Sequence, residues 1–188
     1  MAKNIRPRLL AISGSTRHQS TNTALLKAIS ASCQDIADIE VFAALNTLPI
    51  FSPDEEGERT PEQVINLCLK VEAADGLIFA VPEYAHGIPG GLKNALDWMV
   101  SRTEFPDKPL LMVHASDRGV FVRAALSEVL RTMSGRLMSE DGLTIHLIGK
   151  PPQTVGSILQ SSGNVEAMRT ALIAFVAAIK ALEGSELL

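Results

Sequence analysis

Residues 13–22 place unusual chemistry in one short stretch: Ser13-Gly14-Ser15-Thr16-Arg17-His18-Gln19-Ser20-Thr21-Asn22. It offers hydroxyls at Ser15, Thr16, Ser20 and Thr21, an amide at Asn22 and a guanidinium at Arg17. Leu25, Leu26, Ile29 and Cys33 follow at helical spacing, so the stretch leads into a helix. A helix N-terminus exposes N–H groups without partners and about half a positive charge. Hydroxyl donors and one arginine around that point suit a terminal phosphate monoester. The same residues also read as a serine-rich turn with an N-cap, and the loop by itself leaves both readings open.

A second stretch, Pro82-Glu83-Tyr84-Ala85-His86-Gly87-Ile88-Pro89-Gly90-Gly91, follows an apolar run. Proline, glycine and small side chains let a flat ligand approach backbone N–H groups closely. Tyr84, the chain's one tyrosine, can pack there. Taken alone, this stretch is equally a rigid strand-to-helix connection.

Other chemistries find no support. The first loop has one glycine where a dinucleotide fingerprint needs three, and the second strand ends in Phe42-Ala43 rather than an acid. No G-x-x-x-x-G-K-[ST] phosphate loop and no G-x-S-x-G nucleophile elbow occur. His18, His86, His114 and His146 lack metal-ligand spacing and read as structural or surface histidines. Cys33 and Cys68 fall on helical stripes and read as small buried apolar residues.

The elements that must position these loops show in the apolar pattern. Runs at 9–12, 77–81, 110–113 and 143–148, with a weaker one at 39–42, predict five strands. Between them Val64, Leu67, Cys68 and Val71, then Leu92, Ala95, Leu96 and Met99, keep helical period. A helix spans about 121–134 with Gly135 at its end. A last helix carries Val165, Met168, Leu172, Phe175, Val176, Ile179 and Leu182. Thr60 reads as an N-cap with Pro61 in the first turn and Gln63 closing a capping box. Asn164 and Gly184 read as the two caps of the last helix. Alternating strands and helices predict a parallel sheet covered on both faces. The runs at 9, 77 and 110 are continuously apolar, as central strands are, whereas 39–42 and 143–147 alternate like edges. Strand order 2-1-3-4-5 accounts for that difference, and it sets the first and third loops across one switch-point crevice.

The chain has 188 residues, 46% hydrophobic and 20% charged, with net charge −4. This predicts one α/β domain over residues 1–188 with a core that needs no staples. The acidic balance speaks against nucleic acid. The basic start over residues 1–8 contains no long apolar run, and no stretch reaches a membrane span. A cytoplasmic protein without a membrane partner is expected.

In combination, Gly14-Ser15-x-Arg17-x-x-Ser20-x-Asn22, Leu48-Pro49-Ile50-Phe51, Pro82-Glu83-Tyr84 and Ile88-Pro89-Gly90-Gly91-Leu92-Lys93-Asn94-Ala95-Leu96-Asp97-Trp98 resemble the NAD(P)H-dependent FMN reductase family, of flavodoxin-like fold. The likeness extends over about residues 8–182. It implies a three-layer fold, bound FMN, and NADPH or NADH as hydride donor. Ser15, Arg17, Ser20, Thr21 and Asn22 would hold the flavin phosphate. Pro82, Glu83, Tyr84, Ala85, His86 and Gly87 would line the isoalloxazine. Ser116 and Arg118, in the loop after the fourth strand, would complete the contacts, with Arg118 placed to meet dinucleotide phosphates or simply solvated. Members often carry Asn-Gly-Ser where Ala85-His86-Gly87 stands, and a glycine-rich loop where Ser116-Asp117-Arg118 stands. The resemblance also implies a small-molecule electron acceptor such as free flavin, a quinone or an azo dye, and a homodimer or homotetramer. It favours a structural or subunit-contact role for Lys93, Asn94, Asp97 and Trp98. Two rivals are a flavodoxin-type electron carrier without NAD(P)H turnover and a flavin-free regulatory domain.

Overall fold

The computed structural model describes residues 6–139 and 142–185. Residues 1–5 of the basic start therefore lie outside the described residues. The elements are β1 (Arg8–Ser13), α1 (Thr21–Ser32), β2 (Asp38–Phe42), α2 (Glu62–Ala73), β3 (Gly76–Ala80), α3 (Gly90–Met99), β4 (Pro109–His114), α4 (Val120–Thr132), β5 (Arg136–Leu137), β6 (Leu143–Thr144), α5 (Pro152–Leu159) and α6 (Ser162–Ser185). The strands run β2-β1-β3-β4-β5 with β6 also on β4, and every pairing is parallel.

The continuous apolar runs now have a cause. In β1, β3 and β4, alternate residues point to opposite layers. Leu9, Ala11, Ile78, Ala80, Leu111 and Val113 pack with α1, α5 and α6. Leu10, Ile12, Leu77, Phe79, Leu110 and Met112 pack with α2, α3 and α4. The edge strand β2 is half exposed, as its alternation predicts. Both cysteines are buried, and burial raises the Cys33 thiol and pushes Cys68 up to about 11.

The fifth strand differs from the single run at 143–148. Two short strands, β5 and β6, share the β4 edge in succession. Beyond β6 the amides of Ile145 and Leu147 still donate to His114 and Ala115 carbonyls at 2.8 and 3.0 Å. Leu143, Ile145 and Leu147 are buried while His146 is exposed, so the alternation holds even where regular pairing stops.

Four helix ends also depart from expectation. Pro61, not Thr60, is the N-cap of α2, and the Thr60 hydroxyl donates back to the Gly57 carbonyl at 2.8 Å. Asn164 lies inside α6, its amide donating to Ile158 O at the end of α5. Gly184 continues α6, with no left-handed backbone to stop it. At the end of α4 the left-handed residue is Ser134, φ +62°, and the Ser134 and Gly135 amides take the Arg131 and Leu130 carbonyls at 2.8 and 2.9 Å. Gly135 is required by packing instead, since a Cβ there would sit 2.4 Å from Leu110 Cδ1. The helix α5 has no counterpart in the sequence expectation. The long connection over residues 43–59 contains three single 3₁₀ turns.

Candidate flavin site at the carboxyl ends of the central strands

The first and third loops do meet. Gly14 N donates to Ala80 O at 2.8 Å across the ends of β1 and β3. A Cβ on Gly14 would lie 3.0 Å from Val81 and 3.3 Å from Leu92, so glycine permits this approach. On the next turn, a Cβ on Gly91 would lie 3.5 Å from the Thr16 methyl.

Within the first loop the side chains brace the backbone. Ser15, 4% exposed, accepts from the Arg17 amide at 3.3 Å. Ser20 is the N-cap of α1 and accepts from Thr23 N at 3.3 Å. Ser13 and Thr23 hydroxyls bond at 2.7 Å behind the loop. Each accepting hydroxyl keeps its own O–H to donate. The amides of Thr21 and Asn22 open the first turn, where a helix supplies no internal partner. Asn22 is buried, Thr21 half-buried, and the Arg17 guanidinium reaches solvent.

A groove of about 700 Å³ opens beside this loop. Arg17, His18, Ser20 and Thr21 form one wall, and Lys27 and Lys150 add charge. No carboxylate is among its described lining residues, in a chain of net charge −4. The donors, the helix end and the charge all fit a phosphate dianion. Lys27 sits on the first helix and was not singled out from sequence. Lys150 comes from a loop more than 120 residues away in sequence, and nothing local announces it. A groove of about 810 Å³ between β1, β2 and α2 lies at the amino ends of the strands, away from the crevice where such sheets bind ligands.

The third loop is a tight hairpin. Tyr84 and Gly87 exchange both backbone hydrogen bonds, at 3.3 and 3.0 Å. Ala85 and His86 between them have φ +49° and +58°, the geometry of a type I′ turn. Asn-Gly suits that turn best, and Ala85-His86 occupies it here. Tyr84, expected to pack, is 48% exposed. The Glu83 carboxylate is engaged by Val122 N of α4 at 2.9 Å, which leaves mainly its backbone for a ligand. The His86 ring stacks on Phe121, centroids 4.2 Å apart and planes at 22°.

The loop after β4 completes the cluster. Ser116 Oγ accepts from Arg118 N at 2.9 Å, and Arg123 Nη2 donates to Ser116 O at 2.6 Å. The Arg118 side chain stands exposed. Gly119, φ +99°, turns the chain into α4. Phe121 and Val122 were missed from sequence because their ties run to His86 and Glu83, more than 30 positions away.

Beside the site, Asn94 Oδ1 accepts from Phe51 N and its Nδ2 donates to Pro49 O, both at 2.8 Å. Trp98 is buried, donates to Pro49 O at 2.9 Å and meets Phe51 edge-on. Lys93 pairs with Asp97 one turn along. Asn94 and Trp98 therefore anchor the 48–51 segment onto α3.

Residues 7–148 match the family model described as NADPH-dependent FMN reductase. The subunit CrdA of the NADH:(hydroxy)cinnamate reductase of Vibrio ruber is 39% identical over 108 residues, 57% of this chain and 52% of that protein, so the match spans about half its length. The quinone reductase of Escherichia coli K12 is 26% identical over 158 residues, 81% of this chain and 79% of the relative. Among solved structures, the flavoenzyme NAD(P)H:(acceptor) oxidoreductase FerB of Paracoccus denitrificans superposes with TM-score 0.76 at 23% identity, over 93% of this chain and 97% of that one. With the fold, the loop motifs and the family match in agreement, the chain belongs to the NADPH-dependent FMN reductase family of flavin-dependent NAD(P)H oxidoreductases.

Proposed function

We propose that residues 1–188 form one flavin-binding domain that holds a single FMN across the first, third and fourth loops and uses NADPH or NADH to reduce a small-molecule acceptor. The contact between loops one and three at Gly14 and Ala80 carries this reading, because it makes one crevice of two motifs 70 residues apart.

FMN held here would supply the redox chemistry, accepting a hydride from the nicotinamide nucleotide and passing two electrons to the acceptor. Arg17, Ser15, Ser20, Thr21 and Asn22 hold the phosphate through charge-assisted bonds and helix-end amides. The amides of Ala85 and His86, at the tip of the hairpin, would face one edge of the ring, those of Tyr84 and Gly87 being used within the turn. Those amides, fixed in a rigid turn, stabilise charge there without reorganising. Ser116 sets the shape of the fourth loop, and Arg118 extends from it to meet dinucleotide phosphates. No side-chain acid or base is required for the hydride step. Donor and acceptor then use the same face in turn, since the short loops leave room for one of them. Quinones, free flavin and azo compounds are the acceptor classes this site suits, with the quinone class supported by the Escherichia coli relative. No described helix is long and apolar enough to cross a membrane. We place the protein in the cytoplasm as a homodimer or homotetramer.

The test is anaerobic. FMN-loaded protein titrated with NADPH or NADH should bleach stoichiometrically and recover colour on adding a quinone. Steady-state double-reciprocal plots should be parallel. Flavin that stays oxidised under both nucleotides would reduce the protein to an electron carrier.

A further inference from the structure

We infer that Glu83 is a positioning residue for the flavin ring: its carboxylate fixes the start of α4, and with it the spacing between the third and fourth loops, while its charge offsets the positive end of that helix. This rests on the flavin reading above and gives a role to a side chain that does not itself reach for the ligand.

The argument begins with a helix that lacks its own cap. The N-cap of α4 is Gly119, with φ +99° and no side chain to accept a hydrogen bond. The first amides of a helix need acceptors, and a serine or aspartate at the cap normally provides one. Here the acceptor comes from 39 residues upstream, with Glu83 Oε2 taking Val122 N at 2.9 Å. Two further ties fix the same turn. The His86 ring lies on Phe121, and Arg123 Nη2 holds the Ser116 carbonyl. The third loop, the fourth loop and the first turn of α4 are thereby joined as one unit.

Charge adds a second consequence. An uncompensated helix N-terminus beside a ring that gains electrons favours the reduced form. A carboxylate on that terminus opposes this and keeps the bound flavin a stronger reductant.

Glu83→Gln and Glu83→Ala separate the two effects. Glutamine retains an oxygen for Val122 N and loses the charge, whereas alanine loses both. With holoprotein, Glu83→Gln should keep FMN affinity within about threefold of wild type and raise the two-electron potential by about 30 mV, a tenfold change in the ratio of reduced to oxidised affinity. Glu83→Ala should weaken FMN at least about tenfold. In flavin-free protein, Val122 amide exchange should accelerate in Glu83→Ala and stay unchanged in Glu83→Gln. Equal FMN affinity in Glu83→Ala and wild type, or equal Val122 exchange, overturns the clamp. An unchanged potential in Glu83→Gln overturns the charge role. Wild-type protein that retains no FMN would instead end the flavin reading itself.

Discussion

The two walls of the candidate site are built in opposite ways. In the first loop the ties are short in sequence: Ser15 takes the Arg17 amide, Ser20 takes the Thr23 amide, and α1 starts at once. In the third loop two non-glycine residues stand in left-handed backbone, and the supports come from α4, at Val122 and Phe121. The proposed phosphate wall is thus a local device of caps and hydroxyls. The proposed ring wall is a strained turn held from outside. Strain of this kind persists where surrounding structure over-determines it, and ligand clamps are a common place for it. The local wall should tolerate changes elsewhere in the fold, whereas the ring wall should fail when α4 moves.

The largest effect expected from that contrast is at Arg17. A guanidinium on a phosphate dianion contributes on the order of 1.5–3 kcal/mol when partly desolvated. Arg17→Ala should weaken FMN roughly 10- to 100-fold and leave riboflavin, which lacks the phosphate, almost unchanged. Equal losses for both, read by fluorescence titration, would remove Arg17 from the phosphate site.

Next come the glycines that join the walls. A Cβ on Gly14 meets Val81 at 3.0 Å, so Gly14→Ala should cost roughly 1–3 kcal/mol by forcing the loops apart. Gly91 lies in the first turn of α3 without positive φ, and its Cβ would meet Thr16 at an ordinary 3.5 Å, so Gly91→Ala should be neutral or stabilise by up to about 1 kcal/mol. Urea melts of the two variants should therefore separate clearly, and coincident melts would show that the loop junction is soft.

The turn itself gives a smaller effect of opposite sign. Left-handed backbone costs a non-glycine residue roughly 1–2 kcal/mol. Ala85→Gly should stabilise the protein by about 1 kcal/mol. His86→Gly gains similar relief but loses the stack on Phe121, worth about 0.5–1.5 kcal/mol, so its net change should be near zero. A large loss in Ala85→Gly would mean that the positive φ values are not a source of strain.

The smallest expected effect lies away from the site. Arg169 forks onto Asp35 at 2.7 and 2.8 Å and holds the Asp35 carboxyl down to about 2. A depressed carboxyl contributes stability that is fully present above its ordinary range near 4 and is lost as pH falls through about 2. The pair is exposed, so salt screens it. Thermal melts at low salt should drop between pH 4 and 2 slightly less steeply in Arg169→Gln than in wild type.

The same contrast governs what the sequence made legible. Strand order followed from which apolar runs were continuous, because burial on both faces leaves a direct trace in composition. The phosphate wall was legible for a similar reason: its cap, hydroxyls and arginine are neighbours in the chain. The ring wall was legible only as a Pro/Gly-rich stretch, equally a ligand-facing loop or a rigid strand-to-helix connection. Glu83 reads as a ligand contact until α4 is in place, and nothing local ties Phe121, 55% exposed, to His86. The split of the last strand into β5 and β6 also escaped, since a two-residue pairing such as Arg136–Leu137 carries no period to detect. Pro61 is the N-cap of α2 and Asn164 lies within α6, while the Thr60 and Asn164 side chains donate to the Gly57 and Ile158 carbonyls.

The most direct test of the flavin assignment is equilibrium titration of flavin-free wild-type protein with FMN and with riboflavin, followed by desalting and a visible spectrum. One FMN per chain should remain, with riboflavin bound at least about tenfold more weakly, as a phosphate-reading first loop requires. Protein that emerges colourless from FMN, or that binds both flavins alike, would contradict a phosphate anchored at residues 15–22 and a ring laid against residues 82–87.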